Sequence, residues 1–163
     1  MKNILKYFVL LTSCLLFWSC EKDDICAEED PTTQAVVLEF FDKNDPTKAK
    51  NPNQLLAYVS GKDIAIAAEG NKLVLPLMVN ANTTTWNLVL NGNNDNATDD
   101  IADVVTFNYE VEQQYVSKAC GYKANFILNP TDGVTTTHNW ISAIEVINPN
   151  IVNPNEIHIK VLF

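Results

Sequence analysis

Apolar residues in this chain recur at every second position, in short runs closed by turn residues, and that period limits the possible folds more than any other feature. Ile157, Ile159, Val161 and Phe163 alternate strictly, as do Tyr122, Ala124, Phe126 and Leu128, and as do Val105, Phe107, Tyr109 and Val111. A period of two sends one face of a strand into a core and the other towards water. Trp86, Leu88 and Leu90 share a face in the same way, and shorter apolar runs lie at 34–42, 54–60, 64–67 and 140–147. Leu73, Leu75, Leu77 and Val79 alternate too, but Pro76 has no amide donor, which predicts a sheet edge or a bulge there. Between the runs stand turn spellings, notably DPTKAKNPN at 45–53 and NPTDG at 129–133. Eight or nine short strands, with turn signals at intervals of roughly ten residues and no amphipathic helix, predict an all-β fold. The expected architecture is a two-sheet antiparallel β-sandwich, immunoglobulin-like or similar, formed by residues 34–163 as one domain; a small β-barrel is the alternative.

One stretch interrupts this scaffold. Residues 115–123 read YVSKACGYK, placing a cysteine and a glycine where one strand gives way to the next. The motif, the acidic DDICAEEDPTT at 23–33, the strand VVLEFFD, the run LVLPLMV, the tryptophan of NWISAIEVI and the closing EIHIKVLF together resemble an uncharacterised family of short Bacteroidota lipoproteins. Lys118 stands where arginine would be usual in such relatives, which keeps the charge and loses the bidentate fork. The resemblance implies a location and a β-rich fold, and no activity.

The first residues read as an address. Lys2 and Lys6 precede an apolar run from Tyr7 to Trp18, a layout suited to a secretory signal and too short for a permanent membrane span. Cys14 and Cys20 each follow a small residue. Cys20 is the expected lipidation site, because cleavage at Cys14 would leave Leu15, Leu16, Phe17 and Trp18 exposed on the tether. This gives a signal peptide at 1–19, an acidic lipid-anchored tether at 20–33 and the sandwich at 34–163. The expected location is the outer membrane, lipid-anchored, on the periplasmic side or the cell surface. Glu21, Lys22, Asp23 and Asp24 fit either an export signal to the outer face or a merely solvated tether.

Removing the leader takes away two lysines and no acid, leaving 9 basic and 20 acidic groups, and the chain has no arginine. Such a surface repels phosphate backbones and lacks the residue best suited to grip them, so no nucleic-acid partner is expected. With Cys14 lost and Cys20 carrying lipid, two cysteines remain in an oxidising compartment, and Cys26 is expected to pair with Cys120.

Candidates for chemistry are few. The two histidines, His138 and His158, have no nucleophile motif beside them; His158 is expected on the solvent face of a terminal strand and His138 in a loop. Cysteine and histidine lack the paired spacing of a transition-metal site, so neither metal nor other cofactor is expected. The loop at 91–103 concentrates Asn93, Asp95, Asn96, Asp99, Asp100 and Asp103, oxygen ligands of the kind calcium takes, without the central glycine and terminal glutamate of the helix-loop-helix site. A solvated loop is the ordinary reading of such a run. Glu39, Glu110, Glu112 and Glu145 alternate with apolar residues and read as exposed acids rather than a glycosidase pair. Tyr115, Trp86 and Trp140 are candidate binding aromatics, core packing being the usual fate of tryptophans inside alternating strands. The functional expectation is a non-catalytic interaction or structural module of the envelope. A surface binder of glycan or peptide is the alternative, and an enzyme with an unrecognised carboxylate site a more remote one.

Overall fold

The computed structural model describes residues 26, 32–94, 97–153 and 155–163. The expected signal peptide, Cys20, the acidic tract after it and most of the expected tether lie outside the described residues. Those described form twelve strands and no helix: β1 (Val36–Asp42), β2 (Asp45–Ala49), β3 (Leu56–Tyr58), β4 (Ala65–Ala67), β5 (Lys72–Leu75), β6 (Thr83–Leu90), β7 (Ile101–Ser117), β8 (Gly121–Leu128), β9 (Val134–Thr136), β10 (Ala143–Val146), β11 (Asn150–Ile151) and β12 (Ile159–Leu162).

The strands make two open sheets, in keeping with a sandwich and not with a closed barrel. One runs β10-β12-β1-β2, with β5 also pairing β1; the other runs β11-β8-β7-β6-β3-β4, with β9 also pairing β7. Their inward faces supply a single hydrophobic cluster: Val36, Leu38, Phe40, Leu73, Leu75 and Val161 from the first sheet meet Ala57, Trp86, Leu88, Phe107, Tyr109 and Phe126 from the second. Each large apolar side chain removed from water here contributes about 1.5–3 kcal/mol. Aromatic rings lock against each other, Tyr109 edge-to-face on Phe126 at 5.1 Å and Phe40 stacked on the half-buried Trp140 at 6.2 Å.

The departures from expectation have local causes. The pairing is mixed rather than wholly antiparallel: β1 runs parallel to β12, with Leu38 opposite Ile159 and Phe41 opposite Leu162. DPTKA, expected as turn, is instead the exposed edge strand β2. It remains an edge because Pro46 cannot donate to a second neighbour. Residues 104–111 and the opening Tyr115, Val116 and Ser117 of the YVSKACGYK stretch lie on one 17-residue strand, β7. On β5 the alternation holds, Leu73 and Leu75 buried and Val74 exposed, and the strand stops one residue short of Pro76. His158, expected in solvent, is fully buried at the approach to β12, which is flanked by β1 and β10. A strand with neighbours on both sides leaves no open edge for a polar ring to escape through.

By contact the chain divides into two compact units: Thr32–Gln114 with Lys123–Phe163, which contains the hydrophobic cluster, and Met1–Pro31 with Tyr115–Tyr122. The YVSKACGY stretch thus groups with the N-terminal segment.

Candidate functional site

The N-terminal unit is held by a covalent bond. Cys26 and Cys120 form a disulfide, with Cα atoms 4.8 Å apart and 94 residues of sequence separation. The turn that presents Cys120 is set by two features: its amide donates to Ser117 Oγ at 3.0 Å, and Gly121 takes φ +70°. A Cβ on Gly121 would meet no atom within 4 Å, so the glycine is needed for its left-handed backbone and not for clearance. On either side of the cysteine, Tyr115 and Tyr122 lie 57 % and 67 % exposed, with their rings edge-to-face at 5.4 Å. Tyr115 is a candidate binding aromatic and Tyr122 belongs to an alternating strand run in the sequence; the structure makes them one exposed pair.

The other two candidate aromatics belong to the sandwich. Trp86 is buried in the core and its indole donates to Pro76 O at 3.2 Å, so it offers no stacking surface. Trp140 is half-buried between Phe40 and Phe163, with its indole bonded to Leu88 O at 3.0 Å.

The group that sequence reading undervalued is Asp103. It is not a member of a solvated acidic loop; it sits on β7, fully buried. One carboxylate oxygen accepts from Thr137 Oγ1 at 2.6 Å and the Asn139 amide at 2.7 Å, and the other accepts from the Trp140 and Ile141 amides, both at 2.8 Å. Burial alone would push its pKa up, yet the three amides and the hydroxyl outweigh burial and hold it below the ordinary carboxylate value. A buried anion with four donors needs no cation. The signal that could have found it is parity, since Asp103 shares the inward face of β7 with Val105, Phe107 and Tyr109.

The neighbouring loop is likewise tied to protein: Asn91 accepts from Asn53 Nδ2 at 2.8 Å and donates to Asp99 O at 3.0 Å. Asp95 and Asn96 lie outside the described residues, and no set of three His, Cys, Asp or Glu side chains able to hold a metal occurs among those described.

Both histidines engage backbone through Nδ1. His158 Nδ1 accepts from the Val37 amide at 3.0 Å, and its own amide donates back to Val37 O at 3.1 Å. Burial drives its pKa down, only partly offset by Glu156. His138, in the loop after β9 at φ +60°, engages Ile141 O through Nδ1 at 3.1 Å. The four glutamates are scattered: Glu39 accepts from Asn71 at 2.8 Å, Glu145 pairs with Lys160 at 3.6 Å, and Glu110 and Glu112 are exposed on β7. A recess of about 270 Å³ opens beside the β4–β5 turn, lined by Ile66, Ala67, Glu69, Lys72 and Val74.

Fold and site together define an all-β domain of two open sheets whose long hairpin is crosslinked to the N-terminal segment. The chain belongs to a family of unknown function, DUF6452, whose model matches residues 54–163. That span runs from just before β3 to the end of β12. No curated protein and no solved structure matches the chain.

Proposed function

We propose that this protein is a non-catalytic lipoprotein of the outer membrane, held by lipid on Cys20 and acting as an interaction or structural module of the cell envelope. The observation that carries the reading is the Cys26–Cys120 disulfide, six residues beyond the proposed lipid site. Such bonds persist in oxidising compartments, where a chain with this leader would be delivered. A crosslink of this kind also resists pull at the N-terminus, because load applied at Cys20 passes through a covalent bond into the β7–β8 hairpin. In support, the Asp103 carboxylate gathers the 137–141 segment, and Nδ1 of each histidine engages a backbone group.

Membrane fractionation tests the anchor. Cys20→Ala should release the protein and Cys14→Ala should leave it bound; the reverse result overturns the assignment. A module of this kind should also give a reproducible protein partner on crosslinking in intact envelopes. Substrate turnover abolished by a single acid substitution would instead establish an enzyme.

A further inference from the structure

We propose that the hairpin tip is a second membrane contact, its two tyrosines seated in the headgroup layer of the bilayer that carries the lipid. This rests on lipidation at Cys20. Cys26 is fixed by its disulfide to Cys120, between Tyr115 and Tyr122 in sequence. Six residues of chain, even fully extended, span no more than about 20 Å. A lipid on Cys20 therefore confines the tip to within about 20 Å of the membrane surface, against a bilayer whose polar layers add several ångströms on each side.

The tip has the chemistry of that layer. Tyr115 and Tyr122 expose two large amphipathic rings side by side, the residue type that collects at membrane–water interfaces, where the ring meets the acyl boundary and the hydroxyl stays wet. Lys118 lies between them in sequence and Lys123 follows Tyr122, two cations compatible with phosphate headgroups on a chain of net charge −9. Neither ring needs high intrinsic affinity. The lipid and the disulfide hold the pair at a high effective concentration against the surface, so a weak interfacial preference becomes a standing contact.

The test uses full-length lipidated Tyr122→Trp protein in phosphatidylcholine vesicles, with and without bromine on the acyl chains near the headgroup. Emission of the introduced indole, above the background of Trp86 and Trp140, should shift to the blue and be quenched to about half by the brominated lipid. Reducing the disulfide should relieve the quenching. In the unsubstituted lipidated chain, Tyr115 and Tyr122 should be protected from tetranitromethane on vesicles and be nitrated in the unanchored Cys20→Ala protein. Vesicle-bound protein whose indole is unquenched and whose tyrosines are nitrated as readily as in solution overturns the proposal while leaving the anchor intact. Cys20→Ala protein that stays with membranes overturns the anchor reading itself. Loss of a purified crosslinked protein partner, or of glycan retention, on Tyr115→Ala and Tyr122→Ala without any quenching would reassign the tip to that ligand and overturn the membrane contact.

Discussion

Exchanging Asp103 for asparagine preserves shape and reverses half of the hydrogen bonding, since the amide NH2 would face backbone N–H groups that the carboxylate now accepts from. Hydrogen bonds to a buried charge are stronger than neutral ones, so Asp103→Asn is expected to cost about 2–4 kcal/mol in denaturant unfolding. The linkage has a definite sign. The folded pKa lies below the ordinary aspartate value of 3.8, so this stabilisation is present at higher pH and is lost as pH falls through the folded value. The wild-type curve should steepen in that acid range and the Asp103→Asn curve should lack that component. His158 acts in a higher window. Its folded pKa is depressed from 6.5, so its contribution is complete above 6.5 and declines as pH drops below it. Protonation turns Nδ1 from acceptor to donor against the Val37 amide and buries a charge. The melting temperature of the wild type should fall between pH 7 and pH 5, while His158→Asn, whose side-chain oxygen can accept from Val37, should show a flatter profile. Equal slopes would rule out His158 as the source.

At the scale of elements, the tip of the β7–β8 hairpin is crosslinked to Cys26. Closing a loop of 94 residues by a disulfide is worth roughly 4–5 kcal/mol in the chain-entropy model, an upper figure since denatured-state structure reduces it. Cys120→Ser should lower the unfolding midpoint. In the oxidised mature protein neither cysteine should alkylate before reduction, and both should alkylate after it. The pairing was legible because the expected leader removal and lipidation at Cys20 leave two thiols, Cys26 and Cys120. So were the all-β class and the faces of β5, β6 and β8, because alternation reports burial directly. What alternation does not report is partner choice. Nothing in VVLEFFD says that β1 will lie parallel to residues more than a hundred positions away, and nothing in DPTKA tells an edge strand from a turn, since Asp, Pro and Thr suit both. Asp103 was missed for a related reason. In sequence it ends an acidic run, and only the fold brings Thr137, Asn139, Trp140 and Ile141 round to its carboxylate.

At the scale of the whole molecule, the strand linking early and late sequence is β12. It pairs β1 on one side and β10 on the other, and Phe163 exchanges backbone bonds with Phe41 and Lys43 while its carbonyl also accepts from Lys50 Nζ. Deleting residues 159–163 should therefore abolish cooperative unfolding rather than merely lower its midpoint, which near-UV circular dichroism across a thermal ramp would register; a sharp transition in the truncated chain would contradict this. The same adjacency bears on the order of events in time. Val37 and His158 stand 121 positions apart, so one side of β1 waits for its ladder until almost all the intervening chain has been delivered. Contacts of such long separation make folding slow, and an unpaired VVLEFFD strand is prone to join another chain in the interval. On the secretory route proposed above, a polypeptide emerging N-terminus first needs its apolar leading strand shielded during transit, which would make delivery, more than equilibrium stability, the stage most exposed to failure.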